Sequence, residues 1–104
     1  MQVNKIISNK NELFLGPLEM IPKLFEDERG YFFESFNQNK FYKLTGSNIL
    51  FRQDNQSKSY KNVLRGLHYQ IDPYGQGKLV RAIKGKIYDV IVDLRKNSNT
   101  FGQR

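Results

Sequence analysis

Short stretches of alternating side chains, separated by turns that contain glycine, run along most of this chain. Successive side chains of a strand point to opposite faces of the sheet, so this alternation predicts strands. The predicted strands span residues 18–26, 31–36, 48–57, 63–70, 78–84 and 86–95. About six short strands with glycine turns predict a mostly β protein, either a sandwich or a barrel.

One stretch, residues 39–45, predicts a helix instead. Its apolar residues lie three positions apart and would share one helix face. Asn37 or Asn39 can cap the start, and Gly46 is typical of a helix end. A helix of about two turns is too short to be stable alone, so it must pack against the rest of the protein.

A chain of 104 residues forms one domain at most. It has no apolar run long enough to span a membrane, and its N-terminus lacks the apolar stretch of a signal peptide. There is no cysteine, so neither a disulfide nor thiolate chemistry is available. These features predict a cytoplasmic protein without a membrane partner.

The net charge of +7 indicates an anionic partner. The basic residues are scattered, and even the densest group, Lys58, Lys61 and Arg65, is not a continuous run. Scattered bases favour a solvated surface over a nucleic-acid interface. We therefore expect a small anionic ligand, such as a nucleotide diphosphate, and no nucleic acid.

The single histidine, His68, is the first candidate for proton transfer, because imidazole is the side chain best suited to exchange protons near neutral pH. Arg65 and Lys78 would add positive charge, which stabilises the enolate formed when a proton next to a carbonyl is removed. The alternative is a half-buried strand histidine with an ordinary hydrogen bond. Strict alternation places Arg65 and His68 on opposite faces, and a bulge at Gly66 would bring them to one side.

Other kinds of chemistry find little support. One histidine without cysteine does not supply the several ligands of a typical metal site. No nucleophile-elbow motif surrounds any serine, and neither a dinucleotide-binding motif nor a P-loop is present. We therefore expect no metal and no cofactor, and proton transfer by side chains alone.

The run Arg65-Gly66-Leu67-His68-Tyr69-Gln70 resembles a motif of the dTDP-4-dehydrorhamnose 3,5-epimerase family. Further pieces of that family's pattern lie, in order, at residues 27–34, 51–57, 78–81, 85–90, 93–95 and 98–102. The resemblance extends from about Gly16 to the last residue. These linked motifs make it specific, whereas Arg-Gly-Leu-His alone would be moderate evidence.

The resemblance implies a fold and a reaction. The family's fold is the cupin-type jelly roll, a double-stranded β-helix of about eight strands. The chain is therefore expected to be one incomplete cupin-like domain, residues 1–104, and the front part of a longer protein. The family inverts C3 and then C5 of a dTDP-linked 4-keto-6-deoxy sugar, without a cofactor, in dTDP-rhamnose synthesis.

The resemblance also implies roles for individual residues. His68 would accept the proton and Lys78 would stabilise the enolate oxygen. The implied substrate-binding residues are Arg29, Phe32, Glu34, Gln53, Asn55 and Arg65. Arg29 and Glu34 resemble nucleotide-contacting residues. In the family the N-terminal strands cross between the subunits of a homodimer, so these two residues could serve the partner's site.

Some of these implied contacts have simpler alternatives. Gln53 and Asn55 share a face with Ser57, and that face would either line a polar pocket or be exposed to solvent. Phe32 would either stack on thymine or be one more aromatic residue of the core.

The family's general-acid tyrosine, and the aspartate that orients its base histidine, have no counterpart in this sequence. Tyr69 and Tyr88 lie in other motifs, and Asp89 and Asp93 lie in pieces that look structural. We therefore expect the chain alone to be weakly active or inactive. The alternatives are a non-catalytic β module or remnant that binds a nucleotide sugar, and a related dTDP-sugar 3-epimerase or ketoisomerase.

Overall fold

The computed structural model describes all residues from 1 to 104. It contains four strands and one helix: β1 (Gln2–Ile7), β2 (Leu13–Ile21), β3 (Phe25–Asp27), β4 (Gly30–Phe32) and α1 (Gln38–Thr45). The regular secondary structure is therefore mostly strand, as predicted, with one short helix. The strands form two separate antiparallel hairpins, β1 with β2 and β3 with β4.

The prediction of about six strands was wrong for the second half of the chain. Four of the predicted strands form no ladder: residues 48–57, 63–70, 78–84 and 86–95. Within residues 47–92 two hydrogen bonds join backbone to backbone, Val63 N–H to the Tyr60 carbonyl and Tyr74 N–H to the Ile71 carbonyl. Both close turns. An alternating pattern makes a segment compatible with a sheet. A strand forms only where a neighbouring strand makes hydrogen bonds with its N–H and C=O groups.

The β1–β2 hairpin contains a bulge in its second strand. Its register pairs Lys5 with Leu18 and Ile6 with Phe14, so residues 15–17 have no partner on β1. The sequence explains this interruption. Gly16 adopts a φ of +118°, which a side chain would strain, and the proline that follows it has no N–H for a ladder hydrogen bond. β1 itself was not predicted.

The β3–β4 hairpin places a turn at residues 27–30, in the gap between the predicted strands 18–26 and 31–36. Asp27 pairs with Gly30 across the turn, and Gly30 has a φ of +132° that favours glycine. The single strand predicted over residues 18–26 is divided instead, because β2 ends at Ile21 and the next residue is Pro22.

The predicted helix is confirmed, with both of its capping residues. Asn37, one of the two candidates, accepts a hydrogen bond from the Lys40 backbone N–H at 3.0 Å. Gly46 adopts the left-handed conformation, with φ +70°, and its N–H donates to the Tyr42 carbonyl. This helix is too short to cross a membrane, and no other helix is present.

Three aromatic rings form the largest packed apolar group around this helix. Phe41 is only 9% exposed, and its ring centroid lies 5.9 Å from that of Phe36 and 5.4 Å from that of Phe51. Phe51 meets Phe36 edge to face at 5.4 Å. The only other buried hydrophobic residue is Phe14, on β2, so the apolar core is small.

Residues 93–104 form a compact segment, which we call the C-terminal turn, and it docks on the β1–β2 hairpin. The Arg95 guanidinium donates to the Leu15 carbonyl in the bulge at 2.6 Å. Ser8, in the hairpin loop, donates its hydroxyl to the Gln103 side-chain oxygen at 2.5 Å, and both residues are buried. The β2 bulge therefore leaves a backbone carbonyl free to accept a hydrogen bond from the other end of the chain.

Candidate functional site

The candidate residues fall into two groups by their place in the fold. Arg29, Phe32 and Glu34 lie on or just after the β3–β4 hairpin, whereas the others lie in the irregular segment 47–92. Glu34 is half-buried, and all the remaining candidates are exposed. None of the candidate side chains is therefore buried in the hydrophobic core.

Arg29 occupies the hairpin turn and is held there by Asp27. The Asp27 carboxylate accepts hydrogen bonds from the Arg29 backbone N–H at 2.9 Å, from Nε at 3.1 Å and from Nη2 at 2.5 Å. These bonds hold the pKa of Asp27 below its ordinary value and raise that of Arg29. The guanidinium stays cationic and keeps free N–H groups for an anion.

Glu34 joins the hairpin to the start of the helix. Its carboxylate accepts from Lys40 Nζ at 2.7 Å and from the Asn37 side-chain amide at 3.2 Å. The Lys40 contact is the main cause that lowers the pKa of Glu34, and the Asn37 contact adds to it. Glu34 is therefore ionised and available as a hydrogen-bond acceptor near neutral pH.

Phe32, the last residue of β4, has an exposed ring, whereas the rings of its two sequence neighbours contact each other. Tyr31 and Phe33 stack with ring centroids 6.0 Å apart, as expected for side chains on one face of a strand. The Arg81 guanidinium lies 5.1 Å from the Phe33 ring centroid. Phe32 alternates with this pair and is 69% exposed, so the core-aromatic alternative does not describe it in this chain.

Gln53 and Asn55 point the same way although no strand forms there. The Gln53 amide donates to the Asn55 side-chain oxygen at 3.2 Å. Both side chains are exposed, as is Ser57, which shares their predicted face. The structure thus confirms that these amides are neighbours, while their contact with a ligand stays a prediction.

Glycine at position 66 is required by the conformation of the Arg65–His68 motif. Gly66 has a φ of +107°, and a Cβ built on it would lie 3.2 Å from His68 Nδ1. The Arg65 guanidinium turns back to Ser59 Oγ at 2.9 Å and to the Lys58 carbonyl at 3.3 Å. A side chain at position 66 would therefore both strain the backbone and press on the imidazole.

His68 and Lys78 are exposed, and no hydrogen bond joins either of them to another residue. The structure therefore leaves both side chains free to meet a ligand. It does not join the predicted base and the predicted enolate-stabilising cation through a shared contact, so their cooperation stays a prediction.

Sequence reasoning missed the most extensive polar cluster in the chain, which is centred on Asp93. Its carboxylate, 1% exposed, accepts from Arg95 Nε at 2.9 Å, Ser98 Oγ at 2.5 Å and Thr100 Oγ1 at 2.7 Å. Arg95 first, then the two hydroxyls, hold the pKa of Asp93 far below its ordinary value. The spacing Asp-x-Arg followed by Ser-x-Thr is the signal that could have revealed it.

The Asp93 cluster is a structural element of the C-terminal turn, in line with the expectation that this aspartate is structural. All three of its partners lie within seven residues of it, and Arg95 continues to the β2 bulge. An open depression runs between this turn and the β1–β2 hairpin, and none of the candidate residues lines it.

The chain matches the family model for dTDP-sugar isomerases over residues 13–104. That model is described as dTDP-4-dehydrorhamnose 3,5-epimerase, and the chain belongs to this family. The match begins slightly before Gly16, where the resemblance was placed from the sequence. It includes every candidate residue, from Arg29 to Lys78.

Similar proteins carry the same name. The chain is 61% identical to the dTDP-4-dehydrorhamnose 3,5-epimerase of Shigella flexneri over 82 residues, which is 79% of this chain and 45% of that protein. It is 54% identical to that of Escherichia coli K12, covering 79% and 44%. For the Methanothermobacter thermautotrophicus protein the identity is 52%, covering 85% and 46%. The chain thus spans about half the length of these curated relatives. No solved structure matches it.

Proposed function

We propose that this chain supplies the base, the enolate-stabilising cation and the nucleotide-binding residues of a dTDP-4-dehydrorhamnose 3,5-epimerase. The observation that carries the proposal is that the family match over residues 13–104 contains all eight candidate residues. Their exposure supports it, because each has side-chain atoms available to a ligand. The substrate is a dTDP-linked 4-keto-6-deoxyhexose, and the reaction inverts C3 and C5.

The proposed chemistry is proton transfer next to the keto group. The C4 carbonyl acidifies the protons on C3 and C5, and His68 removes them as a general base. The electron pair left behind moves to the carbonyl oxygen, and the Lys78 ammonium stabilises the resulting enolate. A proton returned to the opposite face of the carbon completes each inversion. No metal or cofactor takes part in this scheme.

The nucleotide would be held by the hairpin and by the neighbouring amides. Arg29 and Arg65 are suited to phosphate oxygens, because a guanidinium donates two parallel hydrogen bonds. Gln53 and Asn55 supply both donors and acceptors for the sugar hydroxyls. Phe32, with its exposed ring, would stack on the thymine, and Glu34 would accept a nucleotide N–H.

The parts of the family's machinery not found in this sequence, the general-acid tyrosine and the orienting aspartate, would have to come from outside residues 1–104. We further propose a cupin-type jelly roll for the complete fold, a homodimer that exchanges N-terminal strands, and a cytoplasmic location. Each hairpin has two strands and hence a free edge on either side, which supports pairing with additional strands.

Binding is tested by calorimetry with dTDP and ADP on the purified chain. We expect dTDP to bind more tightly, because Phe32 and Glu34 would recognise the base while Arg29 and Arg65 bind the phosphates of either nucleotide. Arg65→Gln should weaken both nucleotides, whereas Lys10→Gln, a charge-matched change in the exposed β1–β2 loop, should weaken neither. Equal affinity for dTDP and ADP would contradict the thymine assignment.

Catalysis is tested by NMR of the sugar substrate in D₂O, normalised to folded protein. If the chain exchanges the C3 and C5 protons, His68→Asn should reduce the rate about 10²–10⁴-fold, the usual contribution of a general base. Lys78→Met should slow exchange as well, because the enolate would lose its cation. Near-normal exchange in His68→Asn would rule out a histidine base. Binding without any exchange would instead support a non-catalytic nucleotide-sugar module.

A further inference from the structure

One of the three cation–aromatic contacts in the chain differs from the other two in its span. Lys23 lies 5.1 Å from the Phe25 ring centroid and Lys58 lies 5.3 Å from that of Tyr60, so both pairs are two residues apart. The Arg81 guanidinium lies 5.1 Å from the Phe33 ring centroid, and these residues belong to distant parts of the sequence. Of the three, only the Arg81–Phe33 contact can fix the position of one segment relative to another.

The Phe33 ring is held in place by its neighbours and can therefore bind the guanidinium in a fixed position. It is half-buried and stacks on Tyr31 with an interplanar angle of 24°. A guanidinium binds well to an aromatic face because it is planar and weakly hydrated. Phe32 lies between these two residues in the sequence and its ring is exposed, so the Arg81 contact leaves the Phe32 ring free for a ligand.

The contact joins two parts of the candidate site that have no other polar link. The β3–β4 hairpin carries Arg29 and Phe32, whereas Lys78 lies three residues before Arg81. No hydrogen bond or ion pair connects residues 25–36 with residues 78–84. The Arg81–Phe33 contact is therefore the direct link through a charged group between the nucleotide-binding hairpin and the segment of the enolate-stabilising lysine.

We propose that Arg81 is a positioning residue, whose contact with Phe33 holds the β3–β4 hairpin next to the Lys78 segment. This inference rests on the proposed function for the ligand that the two segments share, but the contact itself can be tested without a ligand. Arg81 touches neither the sugar nor the phosphates in this scheme. It acts through the distance between the groups that do.

The absence of cysteine makes a direct test of this distance straightforward. Glu28 is exposed at the tip of the hairpin turn, so Glu28→Cys provides a single attachment site for a nitroxide label. The label broadens the amide NMR signals of nearby residues, including that of Lys78 if the hairpin is held against its segment. The same measurement is made in Arg81→Met, which keeps a long apolar side chain without the charge, and in Arg81→Lys, which keeps the charge.

We expect the broadening at Lys78 to be lost in Arg81→Met and partly kept in Arg81→Lys. In chains without the label, Arg81→Met should weaken binding of the dTDP-linked 4-keto sugar, the ligand that both segments contact in this scheme, about two- to fivefold, the range that an exposed cation–aromatic contact supports. The matched control is Lys23→Met, which removes a local contact of the same kind and should change neither measurement.

Two results would overturn the proposal. Unchanged broadening in Arg81→Met would mean that other contacts hold the hairpin. Lost broadening with unchanged affinity for the dTDP-linked sugar would mean that the contact has no role in binding. A failure of the proposed function is distinguishable from both, because the unsubstituted chain would then not bind dTDP. In that case the broadening of the Lys78 signal still shows whether Arg81 holds the hairpin.

Discussion

Residues 1–46 and residues 47–92 differ sharply in how far their backbone N–H and C=O groups are hydrogen-bonded to one another. The first region contains both hairpins and the helix, whereas only two backbone-to-backbone hydrogen bonds, both closing turns, form within the second. Yet the second region holds the most specific motif of the chain, from Arg65 to His68. The difference teaches that a motif can be fully specified in sequence while its segment lacks the partners that would order it.

The aromatic cluster around α1 is where we expect substitution to have the largest effect. Phe41→Ala should lower the free energy of unfolding by about 3 kcal/mol, because it leaves a cavity between Phe36 and Phe51. Tyr88→Ala, in the irregular region and 95% exposed, should change it by less than about 0.5 kcal/mol. Urea denaturation measures both. Similar effects would mean that the two regions are equally packed, and the comparison would fail.

Acid should detach the C-terminal turn before it disturbs the β1–β2 ladder. The pKa of Asp93 is lowered in the folded chain, so its contribution is fully present above the ordinary carboxyl value of about 3.9 and is lost as the pH falls below it. NMR should show the Gly102 amide, bonded to the Asp93 carbonyl, losing protection from exchange. The Asp93→Asn variant should lack this dependence, and a response unchanged by that substitution would assign the transition to another group.

Removing one hydrogen bond from the Asp93 cluster should have a smaller effect than acid. Thr100 is 2% exposed and donates to Asp93 at 2.7 Å. Thr100→Val keeps its shape but not its donor, and should cost about 1 kcal/mol in the free energy of unfolding. Ser59→Ala removes a hydroxyl that bonds the exposed Arg65, and should be nearly neutral. If Ser59→Ala were the more costly of the two, the irregular region would be better ordered than its backbone indicates.

The smallest effect is expected at the helix cap. Asn37→Ala removes the acceptor for the Lys40 N–H and should cost about 0.5 kcal/mol, near the lower limit for a cap on a short exposed helix. Asn37→Ser retains an acceptor and serves as the control. Backbone chemical shifts of residues 38–45 should report fraying in the alanine variant alone. Equal fraying in both variants would show that the cap does not determine where the helix starts.

Local signals were sufficient wherever the structure depends on neighbouring residues. The helix, its Asn37 cap and its Gly46 end follow from capping chemistry that acts over four residues. The hairpin turn at residues 27–30 likewise follows from the turn chemistry of its own residues. The stacking of Tyr31 on Phe33 likewise agrees with the side-chain alternation of the strand predicted over residues 31–36.

Contacts between distant parts of the chain could not be predicted from local sequence patterns. The docking of Arg95 on the Leu15 carbonyl spans 80 residues and depends on the bulge in β2. The Arg81–Phe33 contact has no sequence pattern either. For the candidate site, the residue types and the shared face of Gln53 and Asn55 were predictable, whereas the relative positions of His68 and Lys78 were not.

The contact between the hairpin loop and the C-terminal turn also has a consequence for the rate of folding. Ser8 and Gln103 are 95 residues apart, and closing a flexible loop of that length costs about 4 kcal/mol in chain entropy. Hairpins form locally within about 1–10 μs, so β1–β2 can form before the junction closes. Substitutions at Ser8 or Gln103 should therefore leave the folding rate nearly unchanged and accelerate unfolding.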